Sequence, residues 1–89
     1  MLELYIEGHC KKDIKRAHKR GKDMRKFWGV VELLQKQLPL EARHRDHPLK
    51  GEWSPCRDCH IEPDWLLIYY VKAGFLYLAR TGTHADLFE

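Results

Sequence analysis

The residues in this 89-residue chain that are best suited to chemistry are its histidines and a motif that contains two cysteines. An imidazole has an unperturbed pKa of about 6.5, so it can both accept and release a proton near neutral pH. Three of the six histidines, His47, His60 and His84, lie in the second half of the chain, with Asp58 and Asp64 among them. A neighbouring carboxylate can hold a histidine in its reactive tautomer. Each of these histidines taken alone is equally consistent with a surface residue or a hydrogen-bonded core residue.

The segment Cys56-Arg57-Asp58-Cys59-His60 matches C-x-x-C-H, the pattern of c-type haem attachment. Haem attachment needs both thiols and the histidine to face one macrocycle. Side chains of an extended segment alternate between faces, so Cys59 is expected to point away from Cys56 and His60. The sequence offers no second ligand pair at the spacing of a zinc site. We therefore predict reduced thiols, a small buried hydrophobe at Cys59, and no metal or other cofactor.

The bulk composition indicates one folded domain that spans residues 1–89. The chain is 44% hydrophobic and 33% charged, which is enough apolar material for a two-layer core. Its first residues are short, alternating and acidic, unlike a secretory signal. No apolar run approaches the roughly 18 residues that a membrane helix needs. We expect a cytoplasmic protein that does not bind membranes.

The basic residues are unevenly distributed along the chain. The net charge is +3, but residues 11–26 contain nine basic side chains against Asp13 and Asp23, which leaves +7 in this segment and −4 elsewhere. Such asymmetry favours a polyanionic partner, although a charge run is also typical of a solvated helix face. The nine residues that we expect to contact nucleic acid are Lys11, Lys12, Lys15, Arg16, Lys19, Arg20, Lys22, Arg25 and Lys26.

Hydrophobic periodicity predicts a strand and two helices in the first half of the chain. Leu2, Leu4 and Ile6 alternate with polar residues, as in a half-buried strand. An exposed basic helix is predicted over residues 11–22, and Asp23 is a good N-cap for a second helix that Pro39 stops. The stripe predicted to pack this second helix on the core consists of Met24, Phe27, Trp28, Val31, Leu34 and Leu38. Residues 39–55 are predicted to form a surface connection.

The second half of the chain predicts three successive strands and one helical turn. Residues 56–62 have mixed faces, residues 65–71 are apolar on both faces, and residues 75–80 follow a hairpin turn. Residues 85–89 allow a single helical turn. Two helices before three strands indicate an α+β protein, with an antiparallel meander packed against the helices.

Three stretches of the sequence resemble one family of bacterial toxins. They are residues 18–24, the segment from Asp46 to Tyr69, and Arg80-Thr81-Gly82-Thr83-His84-Ala85-Asp86-Leu87-Phe88. The resemblance covers nearly the whole chain and is to the YafQ-like branch of the RelE/ParE superfamily of type II toxin-antitoxin systems. It implies a small RelE-like fold, with two N-terminal helices on a twisted, mainly antiparallel four-stranded sheet and a short C-terminal helical turn.

The same resemblance implies a ribosome-dependent endoribonuclease that inhibits translation. Family members cleave mRNA in the ribosomal A site without a metal, by attack of the ribose 2'-OH, and a co-expressed antitoxin holds them inactive. The expected partners are therefore the cognate antitoxin, mRNA and the ribosomal RNA, with operator DNA contacted only through the antitoxin.

Catalytic positions carry over from the family onto His47, His60, Asp64, His84 and Phe88. From the chemistry of imidazole we assign His84 as general acid, His60 as general base or transition-state partner, and His47 as a cationic phosphate contact, and this ordering of roles is a hypothesis. The same hypothesis has Asp64 hold a histidine in its reactive tautomer and Phe88 stack on a nucleobase. Residues expected to support the site are Asp58, Trp65 and Arg80.

Two other functions and several simpler structural roles stay open at this point. A ParE-like toxin would inhibit DNA gyrase by binding and would not need the three histidines, whereas a plain nucleic-acid-binding module would need only the basic helix. Asp58 is also consistent with an ion pair to Arg57 or Arg80. Trp53 and Trp65 are equally consistent with core residues.

Overall fold

The computed structural model describes residues 1–88, which form a five-stranded sheet and three helices. Two 3-10 turns, Ala42–His44 and Gly51–Trp53, lie in the connection that was predicted as a surface loop. In chain order the elements are β1 (Glu3–Ile6), α1 (Gly8–Lys19), α2 (Met24–Gln35), β2 (His47–Pro48), β3 (Arg57–Glu62), β4 (Trp65–Lys72), β5 (Phe75–Gly82) and α3 (His84–Phe88). None of the helices within residues 1–88 is long and apolar enough to cross a membrane.

The sheet has five strands, so the prediction of four strands is wrong. Its order is β1-β5-β4-β3-β2, and the pairs from β5 to β2 are antiparallel, while β1 pairs with β5 in parallel. The additional strand, β2, pairs His47 with Asp58 and Pro48 with Arg57. A strand of two residues cannot show an alternating pattern, so the sequence contained no signal for it.

The main hydrophobic core lies between the helices and one face of the sheet. The Phe27 and Trp65 rings stack at a centroid distance of 6.1 Å, and Trp65 is only 1% exposed. Cys59, Leu67 and Leu78 complete the sheet side of this core. Alternate side chains of β4 and β5 therefore point into this core and pack the sheet against the helices.

The helices differ from their predicted limits and faces. Helix α2 ends at Gln35, three residues before the predicted Leu38, because Gln37 adopts a left-handed conformation with φ of 56°. Trp28 was predicted to pack on the core but is 40% exposed, and Val30 is buried instead. The predicted N-cap of α2 is confirmed, since the Asp23 carboxylate accepts a hydrogen bond from the Arg25 amide at 3.0 Å.

Strand β3 separates the cysteine motif onto two faces of the sheet. Cys59 is fully buried in the main core, and its burial raises the pKa of its thiol. Cys56 instead packs on the opposite, open face, against a small cluster that contains Leu66 and Ile68. The expected alternation is confirmed, and two thiols on opposite faces cannot attach to one macrocycle.

Candidate active site

His60 lies on the open face of the sheet, where β3 pairs it with Leu66. Its Nδ1 lies 3.1 Å from the Pro63 carbonyl oxygen. A carbonyl oxygen can only accept a hydrogen bond, so Nδ1 carries a hydrogen and Nε2 is the ring nitrogen left to exchange a proton. The turn between β3 and β4 thereby fixes the tautomer of His60.

His84 is the first residue of α3, and Asp64 in the same β3–β4 turn holds it twice. The Asp64 Oδ1 atom accepts from the His84 amide at 2.9 Å and from the ring Nδ1 at 2.6 Å. These two bonds, the amide bond first, lower the pKa of the Asp64 carboxyl. The ring of His84 is consequently anchored through Nδ1, with Nε2 free to exchange a proton.

His47 is anchored in the same manner at the edge strand β2. Its Nδ1 donates to the Arg45 carbonyl oxygen at 2.6 Å, and its Nε2 lies 3.7 Å from the Asp58 Oδ2 atom. Arg45 adopts a left-handed conformation with φ of 46°, which turns the chain into the two-residue strand.

The three histidines meet around the carboxylate of Asp58. The rings of His60 and His84 lie 5.7 Å apart between centroids, and His47 is the register partner of Asp58. Asp58 is 4% exposed, and its Oδ1 atom has no hydrogen-bond partner within residues 1–88. Burial raises the pKa of this carboxyl, while the positive charges that the histidines can carry oppose the rise. Three histidines from distant parts of the chain therefore share one electrostatic centre.

Two aromatic side chains form a wall beside His84. The Phe88 ring is 42% exposed, lies 6.5 Å from the His84 ring, and makes an edge-to-face contact with Trp53 at 5.7 Å. A partly exposed ring next to histidines offers a stacking surface for a planar group. The five residues expected to be catalytic are thus brought to one face of the molecule.

Of the three residues expected to support the site, Asp58 lies at its centre, whereas Trp65 and Arg80 contact it less directly. Trp65 lies on the core face, where its Nε1 donates to the Thr81 hydroxyl at 3.0 Å. Arg80 binds the buried carboxylate of Asp13 at 2.7 Å. These two residues therefore hold the strands and α1 in place beneath the site.

The ion pairs considered for Asp58 are wrong. Arg57 instead pairs with Asp46 at 3.2 Å, and Arg80 pairs with Asp13. The short strand β2, which the sequence did not reveal, gives Asp58 a histidine as its neighbour.

One supporting residue was missed by the sequence reasoning. His44 is 6% exposed, and its Nδ1 donates to the His60 carbonyl oxygen at 2.6 Å. It therefore fixes the backbone that carries His60. Only the accumulation of histidine in residues 44–60 hinted at such a role, because nothing in the spacing of His44 distinguishes it from a surface residue.

The basic segment divides into paired and unpaired side chains. Asp86 binds Arg16 and Arg20, Glu62 binds Lys22 and Lys26, and Asp23 binds Arg25. Within residues 1–88, no carboxylate lies within 4.0 Å of the remaining basic side chains, which are Lys11, Lys12, Lys15 and Lys19. These four lysines, here called the lysine ridge, lie along one side of α1.

A family model described as a bacterial toxin of type II toxin-antitoxin systems, YafQ, matches residues 2–89. The mRNA interferase toxin YafQ of Escherichia coli K12 is 50% identical over 99% of both chains. The toxin in the crystal structure of the E. coli DinJ-YafQ toxin-antitoxin complex is 47% identical, with a TM-score of 0.90 over 99% of this chain and 98% of that chain. A metal-bound toxin from Helicobacter pylori is 39% identical, with a TM-score of 0.94 over 99% and 100% of the two chains.

Proposed function

The chain belongs to the YafQ family of bacterial type II toxins, and we propose that it is an mRNA interferase that cleaves messenger RNA in the ribosomal A site by histidine acid/base catalysis. The observation that carries the proposal is the common anchoring of three histidines. Each is fixed through Nδ1, the His47 Nε2 atom lies 3.7 Å from the Asp58 Oδ2 atom, and all three rings lie close enough to Asp58 to act on its carboxylate. Neither a gyrase inhibitor nor a simple binding module requires that arrangement.

The reaction needs two proton transfers and one site for negative charge. The Nε2 atom of His60 accepts the proton of the ribose 2'-OH, and the 2'-oxygen attacks the adjacent phosphorus. The bond from phosphorus to the 5'-oxygen breaks as His84 Nε2 donates a proton to that oxygen. The products are a 2',3'-cyclic phosphate and a 5'-hydroxyl, and proton exchange with water resets both rings.

The partner of each imidazole supports this assignment of roles. Asp64 is an ionised partner that orients His84 through Nδ1, as a carboxylate orients the histidine of a catalytic triad, and leaves Nε2 to act as the acid. His60 is held through Nδ1 by the Pro63 carbonyl, which leaves Nε2 as the atom that can accept a proton and suits a base. His47 lies beside the Asp58 carboxylate and supplies a cation for the crowded phosphorane.

Phe88 provides the grip on the RNA. Its exposed ring adjoins His84, and the Trp53 ring supports it from the side. Stacking on an aromatic ring is worth about 1–3 kcal/mol per base and tolerates any base. The ribosome then selects where cleavage occurs by presenting the codon in the A site.

The lysine ridge gives the proposed enzyme its ribosome contact. Ribosomal RNA is a dense polyanion, and unpaired lysines bind phosphates with a steep dependence on salt. Of the nine basic residues predicted to contact RNA, these four keep their charges free of carboxylates within residues 1–88. We further propose a cytoplasmic protein that a cognate antitoxin inhibits, with operator DNA contacted only through that antitoxin.

The decisive test maps cleavage ends on a message bound to programmed ribosomes and on the same message without ribosomes. We expect strong cleavage in the A site, weak cleavage of free RNA, and a loss of about 10²–10⁴-fold for His84→Ala. The exposed residue His9 provides the control variant, His9→Ala, which should keep full activity.

Two outcomes, one of this test and one of a growth assay with the same variant, would contradict the proposal. Equal cleavage of free and ribosome-bound RNA would contradict ribosome dependence, and undiminished toxicity of His84→Ala would favour gyrase inhibition. Because a relative from H. pylori is metal-bound, the toxin alone is also treated with EDTA and freed of the chelator before it is added to the ribosomes, and the imidazole mechanism predicts an unchanged rate.

A further inference from the structure

Helix α3 is too short to be stable without contacts to the rest of the protein. It has five residues, whereas isolated helices shorter than about 12 residues are marginal in water. Leu87 is its single buried residue among those that the structure describes. Yet α3 carries His84 and Phe88, whose positions decide the geometry of the proposed reaction. Other interactions must therefore hold this helix in place.

The first of these interactions is a reciprocal cap at the start of α3. The Thr83 amide donates to the Asp86 Oδ2 atom at 2.9 Å, and the Asp86 amide donates to the Thr83 hydroxyl at 3.1 Å. This is the capping-box arrangement, with aspartate in the place of the usual glutamate. It satisfies two amides that the short helix cannot satisfy itself.

The second interaction joins α3 to α1 through the same carboxylate. The two terminal nitrogens of Arg20, Nη1 and Nη2, donate to the Asp86 carboxylate at 2.6 Å and 3.2 Å. The Arg16 Nη2 atom lies 3.6 Å from the Asp86 Oδ2 atom. Arg16 also donates to the buried Asp13 at 3.0 Å. Asp13 in turn binds Arg80 of β5, so one network ties both α1 and β5 to α3.

A glycine in β5 makes room for this network. A Cβ atom at Gly82 would lie 2.8 Å from the Asp86 Oδ2 atom and 3.1 Å from the Arg16 Nη2 atom. Gly82 does not adopt a left-handed conformation, so its backbone conformation does not explain the glycine. The need for space beside Asp86 does.

We infer that Asp86 is a positioning residue of the active site, which holds α3 against α1 through Arg16 and Arg20 and thereby places His84 and Phe88. Asp86, Arg16, Arg20 and Thr83 are here called the α3 clamp. The catalytic consequence rests on the proposed function, whereas the ordering of α3 does not. The clamp also explains why Arg16 and Arg20, unlike the four lysines of the ridge, are paired with a carboxylate.

The variant Asp86→Asn separates a role in positioning α3 from a role in docking on the ribosome, because the two roles predict different values of kcat. It removes a negative charge near α1, so a pure docking role predicts unchanged or tighter ribosome binding and an unchanged kcat. A loosened α3 instead predicts that kcat falls about tenfold, since charge-assisted bonds to Arg20 are lost, while KM for the ribosome does not rise.

Variants at Arg20 supply the rescue and the matched control. Arg20→Gln should reproduce the fall in kcat, and Arg20→Lys should recover most of it because the charge is retained. The control is Arg43→Gln, which removes an arginine from another surface pair with a carboxylate, Glu41, in the connection between α2 and β2 and away from α3. Its kcat and KM should match those of the original chain.

Amide hydrogen exchange measures the clamp without any RNA. The Leu87 amide donates to the Thr83 carbonyl oxygen at 3.2 Å, so its protection reports the docking of α3. We expect its exchange to accelerate about tenfold in Asp86→Asn and to stay unchanged in Arg43→Gln. Unchanged exchange together with an unchanged kcat would overturn the inference. Faster exchange in a protein that fails to cleave RNA on ribosomes would support the clamp while refuting the proposed function.

Discussion

The face of the sheet that α1 and α2 cover holds one large apolar core, whereas the open face holds the histidines beside a much smaller apolar cluster. The same strands supply both faces. In β3, Cys59 enters the core, while its neighbours Asp58 and His60 lie on the open side. Stability is thus concentrated on one face and the proposed chemistry on the other, and substitutions on the two faces should have separable effects.

The largest expected effect is on the open face, at His60. His60→Asn keeps a donor for the Pro63 carbonyl but removes the Nε2 atom that accepts the proton. Cleavage on programmed ribosomes should fall by about 10²–10⁴-fold, the usual contribution of a general base. The melting temperature should stay close to that of the original chain, as measured by circular dichroism. If His60→Asn instead unfolded far more easily and kept a normal kcat, the separation of catalysis and stability between the two faces would be wrong.

The reverse pattern is expected for Phe27 on the covered face. Phe27 is fully buried against Trp65, so Phe27→Ala should lower the free energy of unfolding by about 3–5 kcal/mol. The rate per folded molecule should change little, because neither ring touches a histidine of the site. Denaturant titration and cleavage assays on the same preparation measure both quantities. If kcat collapsed in molecules that remain folded, the core would also control the chemistry.

Substitution of Asp58 tests whether the buried carboxylate on the open face lowers the free energy of unfolding. Its folded pKa is raised, so the ionised carboxylate destabilises the protein at neutral pH, and that penalty disappears as the pH falls through the folded pKa. Asp58→Asn should therefore be more stable by about 1 kcal/mol at pH 7, with a smaller difference under acidic conditions. Thermal unfolding across this pH range measures the difference. A less stable variant at pH 7 would show that the histidines fully compensate the carboxylate.

The smallest effect is expected at the surface of α1. Replacing Lys11, Lys15 and Lys19 by glutamine should leave the unfolding free energy within about 0.5 kcal/mol, because these side chains are exposed. Ribosome binding should weaken, and the slope of its logarithmic dependence on salt should fall by about one for each phosphate that the lysines no longer neutralise. Binding titrations at several KCl concentrations measure the slope. The triple variant Arg43→Gln, Lys36→Gln, Lys72→Gln is the control for net charge.

Periodic and local features of the chain were predictable from sequence. The alternation of Leu2, Leu4 and Ile6 identified β1, and the N-cap at Asp23 and the burial of Cys59 followed from local rules. The resemblance to known toxins identified His47, His60 and His84, which the structure brings together.

Long-range features were not predictable. The parallel pairing of β1 with β5 joins residues roughly seventy positions apart, which no local pattern encodes. The pairing of Arg16 and Arg20 with Asp86 likewise links opposite ends of the chain, so charge counting overestimated the free basic surface. Trp28 was assigned to the core because its spacing placed it on the border of the apolar stripe.

The mixed sheet also orders the events of folding. Tight turns join β3 to β4 and β4 to β5, so these hairpins close with a small loss of chain entropy. Strand β1 can join β5 only after a loop of roughly seventy residues has closed, which is the slower and costlier step. We therefore expect the three-stranded meander to form first and β1 with the helices to condense on it afterwards. Mutations in the β4–β5 hairpin should slow folding, whereas mutations in β1 should mainly accelerate unfolding.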